Sequence, residues 1–273
     1  MILVNGKLTG QINVLDRGLH YGDGLFETIA YKNKHLLLWD EHWRRLAKSA
    51  KILNIDLPDK ELIRQELDFV VKGQEDMVLK LLITRGVGGR GYKIPDKPNP
   101  NRIIISSDWP NHDSNLRQTG VIVRLCEMRL TRNPKLAGIK HLNRLENVIA
   151  RSEWRDHSIF EGLMLDQDNY VIEGTMTNLF IIKDNEIFTS DLKYCGVEGV
   201  MREQLIKLAS QLDISVKFIN IKPSTLQDAD EILLSNSIIG LWPVKQIQNH
   251  SYKRKPTVIT EKLQHHIYTG IFY

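Results

Sequence analysis

Leu136-Ala-Gly-Ile-Lys140-His-Leu-Asn-Arg-Leu-Glu-Asn-Val148 is the stretch around which the chain is organised. Lys140 follows Gly138 by two residues, where an apolar segment gives way to a helical pattern. Leu142, Leu145 and Ile149 recur at helical spacing, which predicts Lys140 at or just before a helix start. A lysine held where strand becomes helix is a candidate for chemistry. Burial strips its charge readily, and a neutral amine forms Schiff bases. A surface lysine at a helix N-terminus has the same local pattern, so the surrounding chain must decide between the two.

At 273 residues with 42% apolar side chains, the chain can fill a core of one large or two modest domains. No apolar run approaches the ~20 residues of a membrane span, and the N-terminus lacks the basic and cleavable segments of a signal peptide. Two cysteines, Cys126 and Cys195, provide neither a disulfide framework nor a metal spacing, so a cytoplasmic protein without a metal is expected. The net charge of +4 is spread along the chain. That argues against nucleic acid and suits a small anionic ligand.

Outward from Lys140, the pattern predicts antiparallel hairpins and separate blocks of helix. Residues 2–14 read as a hairpin turning at Asn5-Gly6, and 16–24 as a turn-rich loop. Residues 25–31 form a strand, followed by another through Trp39. Asp40 caps a helix bearing Trp43, Leu46, Ala50 and Leu53, and Asp59 caps a second that ends near Gly73. Strands at 77–84 and 102–107 flank a loop rich in glycine, then proline. Residues 108–119 form a polar linker, which gives domains at 1–107 and 120–273. In the second domain, turns at Asp168-Asn169 and Asp184-Asn185 close hairpins. A helix spans about 200–212, and another begins near Thr257. Hairpins with segregated helices predict α+β with antiparallel or mixed sheets, not a doubly wound parallel sheet.

Gly86-Val-Gly88-Gly-Arg-Gly91 follows a strand and matches a dinucleotide fingerprint. Pro95, Pro98 and Pro100 then exclude the helix that such a site needs. The loop's glycines are better used to bend sharply and bring Arg90 to an anion. Arg44 and Arg45 share a helix, and a guanidinium offers paired donors to a phosphate or carboxylate. Gly199-Val200-Met201-Arg202 opens a helix, whose first amides suit an anion. Ser235-Asn236-Ser237 ends a strand, and Glu173 sits in an apolar hairpin where a carboxylate needs a partner.

In order and spacing, these motifs resemble the fold-type IV pyridoxal-phosphate enzymes. They run from Asp16-Arg-Gly-Leu-His-Tyr-Gly-Asp-Gly-Leu-Phe-Glu-Thr28 through His42-x-x-Arg45-Leu46, Lys140, Glu173-Gly-x-x-x-Asn178, Gly199-Val-Met-Arg202 and Ser235-Asn-Ser237. Gly88-Gly-Arg-Gly-Tyr92 and the segment around Lys140 look most like the aminodeoxychorismate lyase branch. Asn143-Arg144 departs from the Asn-Tyr of the branched-chain aminotransferases. The resemblance implies two α/β domains joined by a short linker, with the active site between them, and a homodimer.

It also implies roles. Lys140 would carry pyridoxal 5'-phosphate as a Schiff base and serve as general base. Glu173 would face the pyridine nitrogen. Arg45, the amides of Val200 and Met201, Asn236 and Ser237 would hold the phosphate. Thr28, Arg90 and Tyr92 would meet the substrate. Met201 stands where a threonine is frequent, which leaves only its amide for the phosphate. The implied reaction releases pyruvate and 4-aminobenzoate from 4-amino-4-deoxychorismate. A class IV aminotransferase acting on D-amino or branched-chain amino acids is the alternative.

Overall fold

Asn5 and Gly6 adopt positive φ (51° and 78°) and turn β1 (Ile2–Val4) into β2 (Lys7–Leu8), so the second arm of this hairpin is only two residues long. In the computed structural model, which describes residues 1–252 and 256–272, the chain divides into two units. The first is Met1–Pro110, to which Ile139–Asn143 and Phe272 return. The second is Asn111–Gly138 with Arg144–Ile271.

In the first unit, residues 16–24 are not a plain loop. Asp16 accepts from the amide of Gly18 at 2.7 Å and caps a short helix, α1 (Arg17–Tyr21), which Gly22 ends with a left-handed φ of 62°. Then come β3 (Gly24–Lys32), β4 (His35–Leu36), α2 (Trp39–Leu53), α3 (Lys60–Val70), β5 (Met77–Thr84) and β6 (Asn101–Asp108). The strands form one antiparallel sheet in the order β2-β1-β6-β5-β3-β4.

The strand expected to reach Trp39 stops at Leu36. Leu38 takes a φ of 54° and Trp39 begins α2, with Trp39 and Trp43 packed one turn apart at 5.8 Å. Asp40 therefore lies in the first turn, where its charge suits the helix dipole, and not at the cap. Asp59 does cap α3, accepting from the amides of Glu61 and Leu62.

The second unit begins with α4 (Leu116–Thr119) and β7 (Val121–Leu130), then α5 (Leu145–Ser152). It continues with β8 (Ile159–Asp166), β9 (Val171–Gly174), β10 (Asn178–Lys183), β11 (Glu186–Ser190) and α6 (Val200–Gln211). The last elements are β12 (Val216–Ile219), α7 (Pro223–Gln227), β13 (Glu231–Asn236), β14 (Gly240–Ile247), β15 (His250–Ser251) and α8 (Val258–His266), which runs into a π-helical turn at Ile267–Ile271.

Its sheet is mixed, in the order β12-β11-β10-β13-β14-β7-β8-β9, and β9 pairs again with β10 at Glu173–Asn178. That last pairing closes six strands into a ring around Val123, Leu163, Leu179, Ile181, Ile232 and Leu234, all buried. Closure buries β8 and β10 on both faces, so they read as continuous apolar runs without alternation.

Lys140 is not at a helix start. Helix α5 opens at Leu145, and residues 140–142 lie extended along the first half of β3. Phe26 N donates to Lys140 O at 3.0 Å and Leu142 N to Gly24 O at 3.0 Å, with His141 bridged to Leu25.

Candidate active site

The candidate residues fall into two sets, one in each unit. In the first unit β3 sets the geometry, because its side chains alternate between faces. Leu25, Ile29 and Tyr31 are buried, and Glu27 stands in the same row, 1% exposed. Phe26 and Thr28 point the other way and remain half-buried.

Glu27 needs partners there, and α2 supplies them. Arg45 Nε donates to Glu27 Oε1 at 2.9 Å, Arg45 Nη2 donates to Oε2, and His42 Nδ1 lies 2.6 Å from Oε2. Burial would raise the Glu27 pKa. The Arg45 charge, with the His42 bond, overrides that and holds the carboxyl at about 2. Burial pushes the His42 pKa down, Glu27 opposes it, and the positive charges of Arg45 and Lys140 push it further down. His42 is thus a neutral imidazole whose Nδ1–H serves Glu27. Its Nε2 is buried without a hydrogen-bond partner among the described residues.

Arg44, the neighbouring cation, is 53% exposed and pairs with Glu41 on the surface. The two arginines, which the sequence places together off the apolar stripe of the helix, thus point in different directions: Arg45 inward to Glu27, Arg44 outward.

Lys140 is half-buried, with Nζ 4.3 Å from the centroid of the Phe26 ring. A second cation, Lys80, lies 5.2 Å from the same ring and is the register partner of Thr28. Sequence reading passed over Lys80. Its position opposite Thr28 on an alternating strand pair is the signal that could have found it. Glu27 was findable too, as a carboxylate in the apolar row of a strand. Arg90 and Tyr92 are exposed on the loop between β5 and β6.

In the second unit Glu173 is the penultimate residue of β9, 4% exposed. Its Oε2 accepts from Val197 N at 2.9 Å and from Asn178 Nδ2 at 3.2 Å. Asn178 also donates to Val197 O at 2.9 Å, so one side chain ties the carboxylate to the segment that enters α6. A Cβ on Gly199 would come within 1.9 Å of Asn178 Oδ1, so any larger residue at this point must displace the Asn178 side chain. As a glycine N-cap, Gly199 brings no side chain to the buried first turn of α6 at Val200 and Met201.

The third residue of that turn, Arg202, is directed away from the helix start. It donates to Ser190 O at 3.0 Å and Thr189 Oγ1 at 3.4 Å. Asn236 uses its side chain within the protein: Oδ1 accepts from the amides of Ile238 and Ile239, and Nδ2 donates to Met176 O. Ser237, half-buried, follows on the same turn. Ser235 is cross-strand partner to Asn178, which in turn pairs with Glu173, so the three side chains share a face. The Ser235 hydroxyl is fully buried with no hydrogen-bond partner among the described residues.

Behind Glu173, residues 174–177 form the closing turn of the ring around Glu161, which is fully buried. Its carboxyl accepts from Thr175 Oγ1 at 2.6 Å, Thr177 Oγ1 at 2.9 Å and the amides of Gly162, Thr175 and Met176. Burial raises its pKa, and these donors oppose the rise.

The chain matches the family model for amino-transferase class IV over residues 24–247. It is 36% identical over 247 residues to an aminodeoxychorismate lyase of Vibrio harveyi, covering 90% of this chain and 91% of that one. A putative branched-chain-amino-acid aminotransferase of Methanocaldococcus jannaschii is 32% identical, covering 96% and 93%. The solved structure of 4-amino-4-deoxychorismate lyase from Pseudomonas aeruginosa aligns over all of both chains, with a TM-score of 0.94 and 39% identity.

Proposed function

Because the chain belongs to the amino-transferase class IV family, we propose that it is a pyridoxal-phosphate-dependent aminodeoxychorismate lyase. It would convert 4-amino-4-deoxychorismate to 4-aminobenzoate and pyruvate. The observation that carries this reading is the full-length likeness to the Pseudomonas aeruginosa lyase.

The residues fit the cofactor chemically. Lys140 offers an amine beside an aromatic face. Glu173 is a carboxylate fixed by two donors, and α6 opens on a glycine with a buried first turn. The Ser235 hydroxyl is buried with a bond to give. We assign the phosphate to Arg45, the amides of Val200 and Met201, and Ser237. Asn236 would serve through its backbone, since its side chain holds the turn. When bound, pyridoxal phosphate supplies an aldehyde carbon for Lys140 and a ring that accepts electrons.

The protein's own residues then divide the work. With the cofactor bound, the free amine of Lys140 would take the proton from the carbon bearing the substrate amine. Glu173 keeps a proton on the ring nitrogen, with Val197 N and Asn178 fixing its orientation. Arg90 and Tyr92 meet one substrate carboxylate, and Thr28 and Lys80 line the β3 face with a second cation. The ring C–O bond would break, the departing enolpyruvate would take up a proton equivalent to the one Lys140 removed and become pyruvate, and the carbocycle would become aromatic, so the elimination runs downhill.

The test is incubation of purified protein with 4-amino-4-deoxychorismate, following 4-aminobenzoate and pyruvate. Equal release of both supports the lyase. The aminotransferase reading, favoured by the Methanocaldococcus jannaschii relative, requires amino-group transfer from D-alanine or a branched-chain amino acid to 2-oxoglutarate, with no 4-aminobenzoate formed.

The assembly is proposed as a homodimer. Leu145, Val148 and Ile149 form an apolar stripe on α5 with exposures of 69%, 62% and 43%. A cytoplasmic location suits two buried thiols, Cys126 and Cys195, which burial pushes up to about 12. No helix among the described residues is long and apolar enough to cross a membrane.

A further inference from the structure

The motif at Asp16-Arg17-Gly18 has no part in the chemistry above, yet Arg17 is 4% exposed and its whole guanidinium is engaged. Nε donates to Asp23 Oδ2 at 2.8 Å. The other two nitrogens reach into the loop between β5 and β6: Nη1 to Gly91 O at 3.1 Å and Lys93 O at 3.3 Å, Nη2 to Tyr92 O at 3.2 Å. Three successive carbonyls of a segment without strand or helix therefore converge on one side chain.

The loop is shaped to that side chain. A Cβ on Gly88 would sit 2.6 Å from Arg17 Cδ, and Gly91 turns the chain with a φ of 88°. Arg17 N bonds to Gly86 O at 2.9 Å, and Asp16 bridges to Val87. Tyr21, one turn along α1, lies 4.9 Å from the Arg17 guanidinium and meets the Tyr92 ring edge-on at 5.3 Å. This accounts for one glycine of a run that resembles a nucleotide fingerprint: Gly88 makes room for an arginine, while Gly86 lets the chain pass Asn99 O.

We propose that Arg17 is the positioning residue of the substrate loop, holding the carbonyls of Gly91, Tyr92 and Lys93 so that Arg90 and Tyr92 face a carboxylate-bearing substrate. The inference builds on the assignment of Arg90 and Tyr92 to substrate made above. The planar fork is needed because its donors diverge. A lysine presents a point charge that cannot reach three carbonyls and Asp23 together.

The test uses Arg17→Lys, with Arg85→Lys as a matched control. Arg85 shares Asp23 Oδ2 at 2.8 Å, but its other donors go to Leu53 O and Asn54 O at the end of α2. Amide hydrogen exchange is read over residues 88–94, with and without pyridoxal phosphate, alongside cofactor affinity and steady-state kinetics. In Arg17→Lys, exchange in the loop should rise at least tenfold. KM should rise about tenfold with kcat within twofold, and cofactor affinity should be unchanged. Arg85→Lys should leave loop exchange as it is.

Unchanged loop exchange in Arg17→Lys, or equal loosening in both variants, overturns the proposal. So does a tenfold loss of cofactor affinity, which would mark Arg17 as a general support of the fold. A cycle with Arg90→Ala separates the two readings. If Arg17 acts through Arg90, its effect on KM disappears in the Arg90→Ala background. If Arg90→Ala alone leaves KM untouched while Arg17→Lys still frees the loop, the substrate assignment fails and the positioning of the loop stands.

Discussion

Arg45 and Glu27 meet side by side between α2 and β3, with Arg45 Nε 2.9 Å from Glu27 Oε1 and Nη2 on Oε2. Two guanidinium nitrogens are thereby committed to orientation, with His42 bound to the same carboxylate.

Breaking that arrangement from the carboxylate side should be severe. Glu27→Gln leaves a buried guanidinium without its counter-charge, which costs about 3–5 kcal/mol in comparable pairs. Urea unfolding of the cofactor-free protein should show that loss, and pyridoxal phosphate should bind more weakly. Arg44→Ala, on the surface face of the same helix, should stay within about 0.5 kcal/mol of the parent.

The same cluster sets an acid limb of stability. Glu27 has a folded pKa of about 2, below its ordinary 4.5, so its contribution is complete above 4.5 and is lost as pH falls towards 2. His42 adds an earlier step. Its folded pKa lies below 6.5, so the unfolded chain takes up the proton first and stability declines as pH drops under 6.5. Glu161 and Glu231 act in the opposite sense. Their raised pKa values favour the folded state below 4.5, and that contribution fades as pH rises through the folded pKa. Unfolding free energy measured from pH 8 to 3 should carry a loss below 6.5 that His42→Gln removes, set against the gain from Glu161 and Glu231 as pH falls through their folded pKa values.

Glu161 gathers five donors, of which the Thr175 amide also reaches Gly162 O at 3.0 Å while the others lean on the carboxyl. Glu161→Ala should destabilise the second unit by about 3 kcal/mol, at about 1–3 kcal/mol for each buried donor left unpaired and some relief from water entering the gap. Amide exchange at Thr175 and Met176, both bonded to it, should rise before the rest of β9 and β10.

Gly199→Ala places a methyl group where Asn178 Oδ1 now lies, 1.9 Å away. Asn178 must then release Val197 O or Glu173. The expected outcome is at least a tenfold loss of pyridoxal-phosphate affinity, about 1.4 kcal/mol, with the fold retained by circular dichroism. Wild-type affinity would show that Asn178 does not govern Glu173.

Much of this was legible in the sequence. Hairpin signals such as Asp168-Asn169 and Asp184-Asn185 give the mixed α+β architecture, which the solved lyase relative shares. Local pattern misled at Lys140. Leu142, Leu145 and Ile149 look like one helical stripe, but only the last two lie in α5 and both are exposed, so the stripe is not a core face. Periodicity reports amphipathicity without saying what covers the apolar side.

The buried polar groups were harder to read. Glu161 lies in an apolar strand, and its hydroxyl partners Thr175 and Thr177 are 14 and 16 residues away. Arg17 is 74–76 residues from the carbonyls it holds. No local window brings such partners together; only the closed ring and the folded loop do.

Lys140 as the point of covalent attachment is the claim on which the account turns. The most direct measurement is borohydride reduction of the protein saturated with pyridoxal phosphate, followed by peptide mass mapping. The account predicts a single phosphopyridoxyl group on the peptide containing Lys140, absent in Lys140→Ala along with nearly all turnover. Modification of another lysine, or Lys140→Ala turning over substrate at the parent rate, would contradict it.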